Sequence, residues 1–68
     1  MNKALKVRII EIFGTQADFA QALGMDESYV SRVIRGRREL DTANQNRWAE
    51  LLKCKSENIF GNQKVKSG

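Results

Sequence analysis

Four arginines, Arg32, Arg35, Arg37 and Arg38, fall within seven residues, and no acid follows until Glu39. Just ahead of them stand Glu27, Ser28 and Ser31. A guanidinium presents paired donors in one plane and suits an oxyanion or any planar pair of acceptors. A serine hydroxyl donates or accepts, and an ionised carboxylate only accepts. These residue types can recognise a polyanion and the polar groups beside it. No other constellation in the chain offers chemistry. Histidine is absent and Cys54 is the sole cysteine, so there is no zinc set and no disulfide within one chain. The acids form no pocket-like group. The chain is therefore expected to be no enzyme, with no cofactor, no metal and no small-molecule substrate.

The elements that must hold these residues are helical. Asp26 is expected to cap a helix from Glu27 to about Arg35. At 100° per residue Tyr29, Val30, Val33 and Ile34 share one side. Ser28, Ser31, Arg32 and Arg35 share the other, with Glu27 at the edge. Gly36 ends this helix. Before it, Thr15 is a good N-cap, and Asp18 three residues on makes a near capping box. That second helix runs through Leu23 and buries Phe19, Ala20 and Leu23. Gly24 then permits positive φ.

Lys3 to Phe13 is the first helical candidate, with Leu5, Ile9 and Ile12 at helical spacing. Its β-branched residues, Val7, Ile9, Ile10 and Ile12, make a strand the rival reading. The pattern does not alternate and Gly14 serves as a stop, which favours helix. Arg37 to Thr42 reads as a charged loop. A fourth helix is expected from about Ala43 to Cys54, burying Trp48, Leu51 and Leu52. Ser56 is expected to cap a last short helix ending near Phe60. The predicted domain is 1–60, with 61–68 a disordered tail or the start of a linker.

Composition bounds the rest. At 68 residues there is room for one domain. Such a chain buries about 60% of its unfolded surface, so its stability is small and rests on helix packing or on a partner chain. Twelve basic residues against eight acidic give net +4 and a pI near 9.6, a mild bias toward a polyanionic partner. No stretch is long enough for a membrane span, and no signal-peptide pattern opens the chain. A cytoplasmic protein that does not engage membranes is expected.

Two helices joined by a tight turn must cross closely if the second is to be held at a fixed angle. That calls for a small residue at the crossing, Ala20, and a turn residue tolerant of left-handed geometry, Gly24. The second helix needs inward anchors, here Val30 and Val33. An ordinary helical hairpin explains the same apolar residues. It does not explain why the outer face of the second helix carries serine and arginine.

The segment FGTQADFAQALGMDESYVSRVIRGRR, Phe13 to Arg38, resembles the Cro/C1-type (Xre, lambda-repressor-like) helix-turn-helix family of phage and prophage regulators. RWAELLKCKSENIF, Arg47 to Phe60, resembles the fourth and fifth helices of the same fold. The resemblance covers about 58 residues. It departs at Arg37 to Thr42, where the family often has a proline, and no closing β-strand is evident.

The resemblance implies an all-α fold of about five short helices, with a helix-turn-helix at 15–36. It implies a double-stranded DNA operator as partner, with recognition helix 27–35 in the major groove. Glu27, Ser28, Ser31 and Arg32 match positions that face base edges; arginine pairs with guanine O6 and N7, and glutamate accepts from cytosine N4. Thr15, Gln16, Tyr29, Arg35, Arg37 and Arg38 are the expected backbone contacts. Ile59 and Phe60 fall where the family often makes its dimer contact, though Phe60 would equally close the core. A homodimer on a palindromic site is expected. Two rival readings stand beside this one: an antitoxin-type regulator of a toxin–antitoxin operon, and a helical protein-interaction module that no longer binds DNA.

Overall fold

The computed structural model describes residues 1–61; the expected tail, from residue 62 on, lies outside the described residues. The order is α1 (Lys3–Phe13), α2 (Gln16–Leu23), α3 (Glu27–Ile34), α4 (Thr42–Leu51) and α5 (Ser56–Phe60). No strand occurs among the described residues, so the helical reading of Lys3 to Phe13 holds. None of these helices is long enough to be stable alone in water. Each must be held by a buried face, and the faces of α2 to α5 meet at one aromatic centre.

Trp48 of α4 is that centre and is fully buried. Phe19 of α2 meets it edge-on at 5.1 Å between ring centroids. Tyr29 of α3 meets it at 6.4 Å and Phe60 of α5 at 6.2 Å, both again edge to face. This geometry sets the positive ring edge against the negative ring face, and each such pair contributes about 0.5–1.5 kcal/mol beyond area burial. Leu5, Ile9, Ala20, Leu23, Val30, Val33, Ile34 and Leu52 complete the apolar surround.

Two polar side chains lock α1 to the rest. Asn2 caps α1 by accepting from the Leu5 amide at 3.0 Å. Its side-chain NH2 donates to the Ile59 carbonyl at 2.6 Å, and its own backbone N–H donates to the Ile34 carbonyl at 2.6 Å. One residue thus ties together α1 and the ends of α3 and α5. Arg8 donates through Nε to Leu52 O at 2.8 Å and through Nη2 to Lys53 O at 2.9 Å. Those are carbonyls left without helical partners at the end of α4.

Several expectations need correction. Ile12 is 36% exposed, because the inward turns of α1 are taken by Leu5 and Ile9. Asp26 and Ser56 make no side-chain capping bond; Ser56 is already the first residue of α5. Asp18 supplies its amide to Thr15 at 3.1 Å, but no return bond from its carboxylate completes a capping box. Within the expected charged loop, Leu40 is buried, and Asp41 caps α4 by accepting from Asn44 N at 2.9 Å. Helix α4 therefore starts at Thr42 and stops at Leu51, short of Cys54; Leu51 and Cys54 are half-buried against the core.

The early stop of α4 has a local cause. Lys53 has φ 57°, the one non-glycine residue at positive φ among those described. Lys53 N–H bonds to Glu50 O and Cys54 N–H to Ala49 O. This is the two-bond Schellman closure that Gly24 makes for α2, through Gly24 N–H to Gln21 O and Met25 N–H to Ala20 O. A lysine in this conformation carries a steric cost that glycine does not. Lys53→Gly is thus expected to stabilise the fold by about 0.5–1 kcal/mol, the relieved strain outweighing the added unfolded-state entropy. Thermal melts should show a rise of a few degrees. A fall would mean that the lysine side chain makes a contact worth more than the strain.

Candidate nucleic-acid interface

Helix α3 rests on the core through Val30, Val33 and Ile34, all buried. Ala20, 2% exposed, is a buried residue of α2, the helix that packs against α3. A larger side chain there would overpack the core. With its inner face fixed, α3 leaves Glu27, Ser28 and Arg32 exposed, and Ser31 stands half-exposed beside them. These are the four residues expected to face base edges, and they share one exposed surface.

The end of α3 carries the rest of the basic cluster. Arg35 closes the helix, and Gly36 at φ 81° turns the chain. Gly36 N–H bonds to Val33 O and Arg37 N–H to Arg32 O, so the turn is fixed by two backbone bonds. It returns the chain far enough for the Arg38 guanidinium to lie over the Tyr29 ring, 5.1 Å from its centroid. A cation over an aromatic face at this distance is attracted to the ring, which limits the freedom of Arg38. Tyr29 is half-buried, edge-on to Trp48 on one side and covered by Arg38 on the other.

Arg32, Arg35, Arg37 and Arg38 are all exposed. The one ion pair among the described residues is Arg8–Glu11 at 3.4 Å. The four arginines therefore have no carboxylate partner among the described residues. Uncompensated charge gathered at one helix end is costly for a purely structural role, beyond what the helix C-terminus itself favours. It is the arrangement expected where an anion is to be met.

At the start of α2, Thr15 uses its hydroxyl to cap the helix, accepting from Asp18 N. The amides of Gln16 and Ala17, which precede the first carbonyl-bonded turn of α2, remain as donors at this helix start. Gln16, half-buried, is the first helical residue. Ile59 and Phe60 lie apart from all of these. They are 5% and 4% exposed and belong to the chain's own core, which leaves almost none of either side chain for a second copy.

A family model described as helix-turn-helix matches residues 14–59, which takes in α2 through α4 and nearly all of α5. The chain belongs to the helix-turn-helix family. It is an all-α DNA-binding regulator of that family. No curated protein and no solved structure matches it. No helix among the described residues is long and apolar enough to cross a membrane, and those residues hold no grouping of three or more potential metal ligands.

Sequence reasoning missed the stack of Arg38 on Tyr29. The two residues are nine apart, and only the turn at Gly36 brings them together. In this helix-turn-helix protein the stack gives Arg37 and Arg38 different characters. Arg37 projects without a side-chain partner among the described residues, while Arg38 is held. Removing one cation that neutralises a phosphate should reduce the slope of log K against log salt by about one. Arg37→Gln and Arg38→Gln are each expected to do so with no change in base preference. Binding titrations at several salt concentrations would show it. An unchanged slope for both would exclude these residues from the interface.

Proposed function

We propose that this chain is a sequence-specific reader of double-stranded DNA, a transcriptional regulator of the phage or prophage repressor or Cro-like kind. Helix α3 lies in the major groove, whose width of about 12 Å admits one helix. Ser28, Ser31, Arg32 and Glu27 meet base edges, with Arg32 paired to a guanine. The N-terminus of α2, through Thr15 and Gln16, meets a phosphate, and Arg35, Arg37 and Arg38 meet others, with Tyr29 supporting the last. Two copies on a palindromic operator place their half-sites about one helical turn apart.

The observation that carries this reading is the outer face of α3. It joins hydroxyls and a guanidinium to a cluster of exposed arginines with no acidic partners among the described residues. A solvated helix face has no need of such a one-signed cluster. Glu27 on the same face repels phosphate and adds discrimination at a cost in affinity, which fits a sequence reader better than a general DNA coat.

Selection of bound duplexes from a randomised library, at about 150 mM salt, tests this. A palindrome with fixed half-site spacing is expected. Arg32→Ala should then lose preference at a single base-pair position, by about 1–3 kcal/mol. No enrichment, with binding that fades as salt rises, would leave only a basic surface. Equal weakening on every sequence by Arg32→Ala would make Arg32 a phosphate contact.

A further inference from the structure

The outer face of α1 is apolar and has no partner among the described residues. Val7 is 54% exposed, Ile10 45% and Met1 70%. Together with Lys3, Lys6 and Glu11 they line an open groove of about 420 Å³. None of these residues belongs to α2 or α3.

The charges on this face point to its occupant. Lys3, Val7 and Glu11 are spaced by four and form one ridge along the helix. The ridge runs from positive through apolar to negative, and Val7 is its midpoint. If the same ridge is laid across itself in the opposite direction, Val7 meets Val7, Lys3 meets Glu11 of the second copy, and Glu11 meets Lys3 of the second copy. Ala4 and Ile10, placed symmetrically about Val7, meet in the same way. Packing such ridges against each other is the commonest way for two helices to cross.

A second observation agrees. Within α1 itself the charges are set against the helix dipole. The first turn carries no acid and the last no base. Lys3 instead stands at the positive end and Glu11 near the negative end, an order that an isolated helix disfavours. Beside an antiparallel second copy each charge faces the opposite helix end, where the dipole favours it.

We infer that the outer face of α1 is the contact between two copies of this chain, crossing antiparallel about a two-fold axis at Val7. The contact rests on the paired-site reading above for its purpose, and it stands in place of Ile59 and Phe60, which the core has taken. The contact is isologous, as two-fold dimers require.

Sedimentation equilibrium without DNA tests this. The unaltered chain should dimerise. Val7→Glu, at an exposed position, should leave the helical circular dichroism unchanged and abolish dimerisation, because two carboxylates then oppose each other at the axis. Lys3→Glu and Glu11→Lys should each raise the dimer dissociation constant by at least about tenfold. An equimolar mixture of these two variants should associate at least as well as the unaltered chain, since both pairs of residue 3 with residue 11 are again of unlike charge. Lys3→Glu is the cleaner single variant, because Glu11→Lys also removes the Arg8 ion pair. A monomeric unaltered chain, variants that dimerise normally, or a mixture that stays monomeric would each overturn the proposal. Since no DNA is present, these outcomes are separate from those of the library selection. A monomer that still selects a half-site would sink this contact and leave the DNA reading standing.

Discussion

Four helices meet at Trp48, and none of them persists without the others. The indole is carried by α4 and touched edge-on by rings from α2, α3 and α5. The helices have between five and eleven residues, so propensity and local hydrogen bonds cannot hold any of them formed. Their stability comes from one shared apolar core. The angle of α3 to α2, and with it the direction of every outward side chain on α3, is thus a property of the core and not of α3 alone.

From that core the functional surface follows in steps. Val30, Val33 and Ile34 fix which side of α3 faces in. The opposite side is then left to serine and arginine. Gly36 folds the chain back over the helix end, and Arg38 comes to rest on Tyr29. Tyr29 in turn rests on Trp48. The path Trp48, Tyr29, Arg38 runs from the centre of the core to the basic surface, so one cation of that surface is positioned by core packing. Asn2 and Arg8 tie α1 to the ends of α3, α4 and α5. The tie uses the inner side of α1 and leaves its outer, apolar side without a partner among the described residues.

The helix-turn-helix is legible in the sequence because each of its decisions is local. Thr15 caps, Gly24 turns, and the side of α3 that goes inward follows from period alone. What escapes a sequence reading is set by distance or by an atypical residue. Lys53 ends α4 in a conformation that glycine normally signals, so the pattern alone carries the helix on to Cys54. Leu40 is buried although it sits among charges, as a member of the core cluster between α3 and α4. Ile12 has the right period but lies at the edge of a helix whose inward side Leu5 and Ile9 already fill. Asn2 and Arg8 reach carbonyls more than forty residues away, and nothing in their neighbourhood announces those partners. The Arg38 stack is of the same kind. Ile59 and Phe60 are ambiguous in sequence between core and surface, and their burial decides for the core.

The central claim is that the exposed face of α3 and the start of α2 form the surface that meets DNA. Backbone amide shifts, followed by NMR as a selected duplex is added, test it most directly. Large shifts should cluster at Thr15 and Gln16, along Glu27 to Arg32, and through Arg35 to Arg38, while those at Arg8, Leu52 and Ile59 stay small. Shifts concentrated instead on α1 or on the α4–α5 junction, with α3 unmoved, would contradict it.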